Sequence, residues 1–273
     1  MDLAATKKDI QSEMINRIVT REEWLTARRE HLVKEKELTR QLDQLRVERR
    51  ALPWVKVDKN YVFDGLNGKQ TLSDLFQGRS QLIVQHFMFS PSWKEGCVGC
   101  SFGADHSDIA RKHFENRDVS FVAVSRAQMN QIEKFRKRMG WEFLWVSSYD
   151  NDFNYDYNVS FREEEREGGK VYYNFTEIDS SEEELPGISV FYKNEKGEIF
   201  HTYSTYARGM EMLVSTFMFM DLTPKGRNEH GPDGTQVDWI RHHDKYANGQ
   251  NNNLLGKAVD ASLDSGCGCG IGE

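Results

Sequence analysis

The order of the predicted elements indicates an α/β fold in which helices cover both faces of a mixed sheet. Apolar runs and amphipathic segments follow one another as strand, helix, strand, helix, loop, strand, strand, helix. A βαβ half followed by a ββα half gives parallel strands first and antiparallel strands later. The predicted strands are 81–89, 120–124, 188–192 and 199–203, and the predicted helices are 97–116, 128–140 and 206–220.

A long charged helix is predicted before this domain. Thr20 and Glu23 have the spacing of a capping box, and the helix is expected to continue to about Arg50. Leucines 38, 42 and 45 form one apolar stripe along it. We expect the helix either to cap one edge of the domain in solvent, or to pack across the body or against a second subunit. A homodimer is therefore an open alternative.

Three regions are predicted along the chain. Residues 1–54 form an N-terminal helical arm, 55–220 the α/β domain, and 221–273 a C-terminal extension with a flexible, glycine-rich tail. An insertion is expected at about 141–185, where the sequence is first aromatic and then acidic. The acidic runs at 163–167 and 182–184 are expected in exposed loops.

Composition excludes several classes of protein. The chain has 273 residues, of which 38% are hydrophobic and 29% charged, so it can bury a core. A net charge of -7 argues against nucleic acid as a partner, because phosphate binding needs a basic surface. No apolar run approaches the roughly 18 residues of a membrane span, and no signal peptide is visible. We therefore expect a cytoplasmic protein, with its thiols reduced.

The most informative motif is the Cys97-Val98-Gly99-Cys100 sequence, which lies between a predicted buried strand and a predicted helix. The N-terminus of a helix stabilises a thiolate, the form that attacks disulfides. In a reducing compartment such a pair is more often catalytic or metal-binding than a structural disulfide. Thiol–disulfide chemistry and metal binding are therefore both open.

At this point the sequence resembles the thioredoxin-like superfamily, and within it the branch related to peroxiredoxins. The features that carry this resemblance are the cysteine pair with Trp93 before it, the stretch 185–194 with its proline, strand and Lys-Asn turn, and the predicted hairpin around Phe63–Gly68 with the segment 72–76. A closer resemblance, to a bacterial family of unknown function in that branch, rests on positions 88–89, 96–97, 152–156 and 203–209.

The resemblance implies a dithiol–disulfide oxidoreductase. Cys97 would be the nucleophile, as the first and more exposed sulfur, and Cys100 would resolve the mixed disulfide. Trp93, Leu185 and Pro186 would contact the substrate, and a cis bond at Pro186 would expose the backbone of Leu185 for pairing with an extended chain. No cofactor is expected. The expected partner is a disulfide-containing protein or a small thiol, with an unidentified reductant.

Peroxide reduction is a weaker alternative. Peroxiredoxins place a threonine or serine three residues before the reactive cysteine, with a proline nearby. Here Lys94 occupies that position and Pro91 lies six residues before Cys97, so the register fails. Arg126 and Arg208 are candidates for the distant arginine of such a site.

Metal binding is the non-redox alternative. Cys97, Cys100, Cys267 and Cys269 could together hold zinc in a tetrahedral site, and His106 could replace one sulfur. Copper-binding relatives of the fold make His86 and His201 candidates by residue type, although a histidine in a strand is more often satisfied structurally.

The C-terminal cysteines form a second closely spaced pair. Cys267 and Cys269 are flanked by glycines within the last seven residues. We hypothesise that they act as a shuttle dithiol that exchanges with Cys97 and Cys100; an accidental tail is the alternative. Upstream, Trp239, His242, His243 and Asp244 are expected in a docking helix rather than a pocket.

Overall fold

The structure is a computed structural model that describes residues 16–227 and 239–246. The chain divides into two units with the boundary between Leu52 and Pro53. In the described residues no helix is long and apolar enough to cross a membrane.

The described part of the first unit is dominated by helix α1, Arg21–Arg50. The predicted capping box is confirmed: the Glu23 amide donates to Thr20 Oγ1 at 3.2 Å, and the Thr20 amide donates to the Glu23 carboxylate at 2.9 Å. No residue of α1 is buried, and ion pairs such as Arg46 with Asp43 at 2.8 Å line its surface.

The second unit contains one large sheet and a separate hairpin. The strands are β1 Val55–Lys56, β2 Val62–Gly65, β3 Gly68–Thr71, β4 Gln81–His86, β5 Val119–Ser125, β6 Leu144–Ser147, β7 Lys170–Tyr173, β8 Thr176–Asp179, β9 Gly187–Lys193 and β10 Ile199–Tyr206. The helices are α2 Val98–Phe114, α3 Met129–Met139, α4 Phe153–Asp156, α5 Glu163–Glu167 and α6 Ser215–Asp221. Four 3-10 segments complete the described residues: Asp74–Phe76, Glu115–Arg117, Ala207–Leu213 and His243–Lys245.

The main sheet has the order β1-β10-β9-β4-β5-β6-β2-β3. Strand β4 pairs in parallel with β5 and antiparallel with β9, and β10 runs antiparallel to β9. The βαβ half and the ββα half therefore share β4 as their central strand, with α2 leaving its carboxyl end. This is the thioredoxin-like mixed sheet that the sequence predicts, with an N-terminal helix before it.

Alternation along β4 explains how both faces of the sheet are covered. Leu82 and Val84 pack with aromatic residues of β2 and α4, whereas Phe87, just after the strand, packs with residues of α2 and α3. Successive side chains of a strand point to opposite faces, so a buried strand needs apolar residues at nearly every position. The loop that leads to Cys97 thus begins at the end of a strand whose two faces are both covered.

Two local predictions differ from the structure. Strand β6 and the β7–β8 hairpin lie in the region 141–185, where an insertion was expected, and β6 belongs to the main sheet. The predicted final helix is split: Ala207–Leu213 is a 3-10 segment, and α6 follows it. Val214 is extended between them (φ -107°, ψ 93°), because its buried side chain packs against Phe102, Phe217 and Ile240.

Candidate active site

Cys97 lies at the helix position that the sequence predicts. It is the N-cap of α2, and its Sγ accepts the backbone N–H of Cys100 at 3.4 Å. The Cys100 amide lies in the first turn of a 17-residue helix, where the amides have no partner within the helix. Such a position favours negative charge, and therefore a thiolate.

Cys100 lies one helical turn further and is tied to the loop after β4. Its Sγ accepts the Met88 amide at 3.4 Å, and its carbonyl accepts Gln85 Nε2 at 3.0 Å. The Cys97 amide in turn donates to the Met88 carbonyl at 3.0 Å. Both cysteines are thus fixed to the end of the central strand.

Both cysteines are almost fully buried, with 4% of Cys97 and 5% of Cys100 exposed. The expectation that Cys97 is the more exposed sulfur is wrong. Both pack in a cluster with aromatic residues, including Phe87, Phe135 and Trp141. This cluster closes the site from the side of the sheet and of α3.

Trp93 lies with the cysteine pair, as expected. It is partly buried against the cluster that contains both cysteines. Gln131 Nε2 donates to the Pro91 carbonyl at 3.1 Å and to the Trp93 carbonyl at 3.4 Å, which fixes the loop to the start of α3.

Leu185 and Pro186 are arranged differently from the expectation. The peptide bond before Pro186 is trans. The Leu185 amide donates to the Val159 carbonyl at 3.0 Å, and the Pro186 carbonyl accepts the Tyr173 hydroxyl at 2.7 Å. Leu185 packs in a cluster that does not contain the cysteines. The Leu185 amide is therefore not exposed for pairing with a substrate, because it already pairs with Val159.

His106 is a structural residue in this arrangement. Its Nδ1 donates to the Phe102 carbonyl at 2.7 Å, and its Nε2 accepts the Thr216 amide at 3.2 Å. With both ring nitrogens used, His106 has none left for a metal. No group of three or more potential ligands occurs among the residues that the structure describes. Cys267 and Cys269 lie outside these residues.

The remaining candidate histidines and arginines also have structural partners. His86 Nε2 lies 2.8 Å from Ser189 Oγ, and His201 Nε2 lies 2.7 Å from Ser204 Oγ; burial lowers the pKa of His86 to about 3. Arg208 pairs with Glu211 at 3.0 Å, and Arg126 lies 4.9 Å from the centre of the Tyr155 ring. Both candidates for the distant arginine of a peroxidase site therefore have contacts elsewhere in the described residues.

The segment Trp239–Tyr246, which we call the strap, lies over the start of α2. Its one regular element is the 3-10 turn His243–Lys245, so the predicted docking helix is wrong, although the segment does dock. His242 Nε2 donates to the Gly96 carbonyl at 2.9 Å, and the His242 ring lies 5.3 Å from Phe135. Burial is the main cause that lowers the pKa of His242, so the neutral ring makes this contact.

Charged groups hold the strap at its end. Lys245 Nζ lies 2.6 Å from the Glu95 carboxylate, and Asp244 pairs with Arg138 at 2.7 Å. Arg138 also pairs with Glu95. His243 Nδ1 lies 2.7 Å from the Asp105 carboxylate. Glu95, two residues before Cys97 in the sequence, therefore belongs to a network of ion pairs with Arg138, Asp244 and Lys245.

Glu184 is a buried acid that sequence reasoning placed in an exposed loop. Only 1% of it is exposed, and neither carboxyl oxygen has a hydrogen-bond partner among the described residues. Burial raises the pKa of Glu184 to about 8, although Arg126 at 3.9 Å opposes the shift. Its position next to the Leu185-Pro186-Gly187 sequence is the only signal that could have suggested a buried role.

Comparison with known proteins places the chain in a family. The sequence profile of the family described as "Bacterial protein of unknown function (DUF899)" matches residues 14–246. The match includes the cysteine pair and the strap, and it ends before the tail cysteines. No curated protein is significantly similar to the chain.

Solved structures with a similar fold have low sequence identity. Peroxidoxin BcpB from Mycobacterium tuberculosis is 12% identical, with 60% of this chain and 92% of that chain covered and a TM-score of 0.40. A protein from Chlorobium tepidum, described as a thiol:disulfide interchange protein DsbE, is 14% identical. The match covers 62% of this chain and 97% of that chain, with a TM-score of 0.36. At these values the matches say nothing about the chemistry of this chain.

Proposed function

We propose that this chain, which belongs to the bacterial DUF899 family, is a dithiol–disulfide oxidoreductase that uses Cys97 as nucleophile and Cys100 as resolving thiol. One observation carries the proposal. Cys97 Sγ lies at the N-terminus of α2 and accepts a hydrogen bond from the Cys100 amide, and the thiol of Cys100 lies one turn away. The helix end favours the thiolate, and the spacing allows an internal disulfide.

The chemistry balances without a cofactor. The Cys97 thiolate attacks one sulfur of a substrate disulfide, forms a mixed disulfide and releases the other sulfur as a thiolate. Cys100, after losing its proton, attacks Cys97 Sγ and releases the second substrate thiolate. Two electrons have then passed from the dithiol to the substrate, and Cys97 and Cys100 are joined. A second dithiol must reduce them again, and the disulfide that it then forms must be reduced by an external thiol donor.

Cys267 and Cys269 are the dithiol that we propose for this reduction. Lys245, near the end of the strap, is bonded to Glu95, two residues before Cys97. About 20 residues separate Tyr246 from Cys267. A chain of this length can span at most about 70 Å, so Cys267 and Cys269 are within reach of Cys97 from Tyr246.

Reduction of insulin disulfides with dithiothreitol as electron donor tests the proposed activity. The wild-type protein should accelerate insulin precipitation, and Cys97→Ser should abolish the acceleration. Ser101→Ala, which keeps both thiols, is the matched control and should retain activity. Elemental analysis of the same samples separates the alternative: stoichiometric zinc without reductase activity would replace this proposal with a metal-binding protein.

The tail is tested separately by changing both of its cysteines to serine. If the tail supplies electrons, the double variant should reduce its Cys97–Cys100 disulfide at least several-fold more slowly at limiting dithiothreitol. Stopped-flow tryptophan fluorescence can follow this step, because Trp93 lies beside the pair. Unchanged kinetics would remove the tail from the mechanism and leave the Cys97–Cys100 chemistry intact.

A further inference from the structure

The strap contacts the chain on both sides of Cys97. On one side, His242 donates to the carbonyl of Gly96, the preceding residue. On the other, Ile240 packs in a cluster with Phe102, at whose edge lie Val98 and Trp239. Ile240 and His242 are each only 2% exposed. The strap therefore covers the backbone that carries the proposed nucleophile.

A covered sulfur cannot carry out the proposed exchange. The attacking thiolate must approach the substrate disulfide directly, with a leaving sulfur on the far side. Cys97 is only 4% exposed, which leaves no room for a disulfide and its flanking chain. Something that lies over Cys97 must move before it reacts.

We propose that the strap occupies the surface on which a disulfide-bearing peptide segment binds, so that Cys97 becomes reactive only when the strap leaves. This inference rests on the proposed oxidoreductase function and adds its substrate surface and its regulation. The strap takes the place of a substrate, because it crosses the first turn of α2 on both sides of Cys97.

The groups beneath the strap define the kind of partner. Val98, Phe102 and Phe217 form an apolar surface, and Phe102 lies 5.6 Å from the Trp239 ring. Glu95 and Asp105 add carboxylates, which now pair with Lys245 and His243. This surface fits an extended protein segment that has a bulky apolar residue and a basic residue near its cysteine. A small thiol would contact only a small part of this surface.

Peptide-resolved alkylation of Cys97 by iodoacetamide tests the strap without requiring turnover. His242→Ala removes a buried hydrogen bond and should raise the alkylation rate of Cys97 about tenfold. Asp244→Asn removes a partly exposed ion pair and should raise the rate about twofold to fivefold. Asp43→Asn, which breaks a similar carboxylate–arginine pair on α1, is the matched control and should leave the rate unchanged.

A synthetic peptide with the sequence of residues 239–246 completes the test. Added to the His242→Ala protein, it should slow the alkylation of Cys97 again, while a scrambled peptide should not. The inference is overturned if Cys97 of the wild-type protein reacts as fast as in the folded Asp244→Asn and His242→Ala variants. It is also overturned if the peptide gives no protection. Because alkylation needs only a reachable thiol, loss of insulin reduction alone would contradict the proposed function and not the strap.

Discussion

Cys97 combines the polarity of a helix N-terminus with nearly complete burial. The first property could be predicted, because a cysteine pair directly after a buried strand falls at the start of the next helix. The second could not, because the covering contact joins Gly96 to His242, far away in the sequence. Local pattern indicates the proposed nucleophile, whereas the proposed control of substrate access depends on a long-range contact.

Glu184 shows the same limit. Three consecutive glutamates, 182–184, are typical of an exposed loop, and two of them are not buried. Glu184 lies opposite Ser160 in an isolated antiparallel bridge, and this pairing turns its side chain inward. No periodicity in the sequence could indicate a bridge between two irregular segments.

Glu184→Gln should change how stability depends on pH. The folded protein holds the Glu184 proton up to about pH 8, whereas the unfolded chain loses it near pH 4.5, so the wild-type free energy of unfolding falls between these values. The Glu184→Gln variant has no proton to release at this position, so its free energy of unfolding does not fall for this reason. Urea unfolding should therefore show an advantage of the variant that grows from pH 5 to pH 8, to the order of a few kcal/mol. A constant difference across this range would show that the Glu184 carboxyl is ionised in the folded protein.

At the scale of elements, the strands and helices that carry the cysteine pair could be predicted well. Strand β4, helix α2 and strand β5 follow the expected order, since a buried strand and an amphipathic helix have different periods. Strand β6 was missed because it has only four residues and lies among aromatic residues that suggest no period. Its partner β5 supplies the pairing that makes it a strand.

Gly96 and Gly99 test the loop-to-helix junction. A Cβ at Gly96 would lie 2.6 Å from the Phe87 ring and 2.9 Å from the Phe135 ring, whereas at Gly99 the nearest atom is Cys97 Sγ at 3.9 Å. Gly96→Ala should therefore lower the free energy of unfolding by about 1–3 kcal/mol through overpacking. Gly99→Ala should be neutral or stabilising by up to about 1 kcal/mol, since alanine favours helix. Chemical denaturation of both variants checks the contrast, and equal destabilisation would contradict the packing described around Gly96.

At the scale of the whole molecule, the sheet provides a fixed base and the strap a removable cover. The cysteines are hydrogen-bonded to the loop after β4. Strand β4 itself is paired with β5 on one side and with β9 on the other. The strap is held by the buried side chains of Ile240 and His242 and by partly exposed ion pairs, which are individually weak. The mixed sheet could be predicted from the order of elements, but the docking of a segment more than 100 residues away from α2 could not.

The central claim is that Cys97 attacks a disulfide and Cys100 resolves the product. Cys100→Ser, mixed with an excess of a disulfide-bonded peptide, tests it most directly by mass spectrometry of the digested protein. The account predicts that the variant accumulates a mixed disulfide on Cys97, while the wild-type protein ends with Cys97 and Cys100 joined and both halves of the peptide released. A mixed disulfide that persists on wild-type Cys97, or one that forms on Cys100 of the Cys97→Ser protein at the same rate, would contradict it.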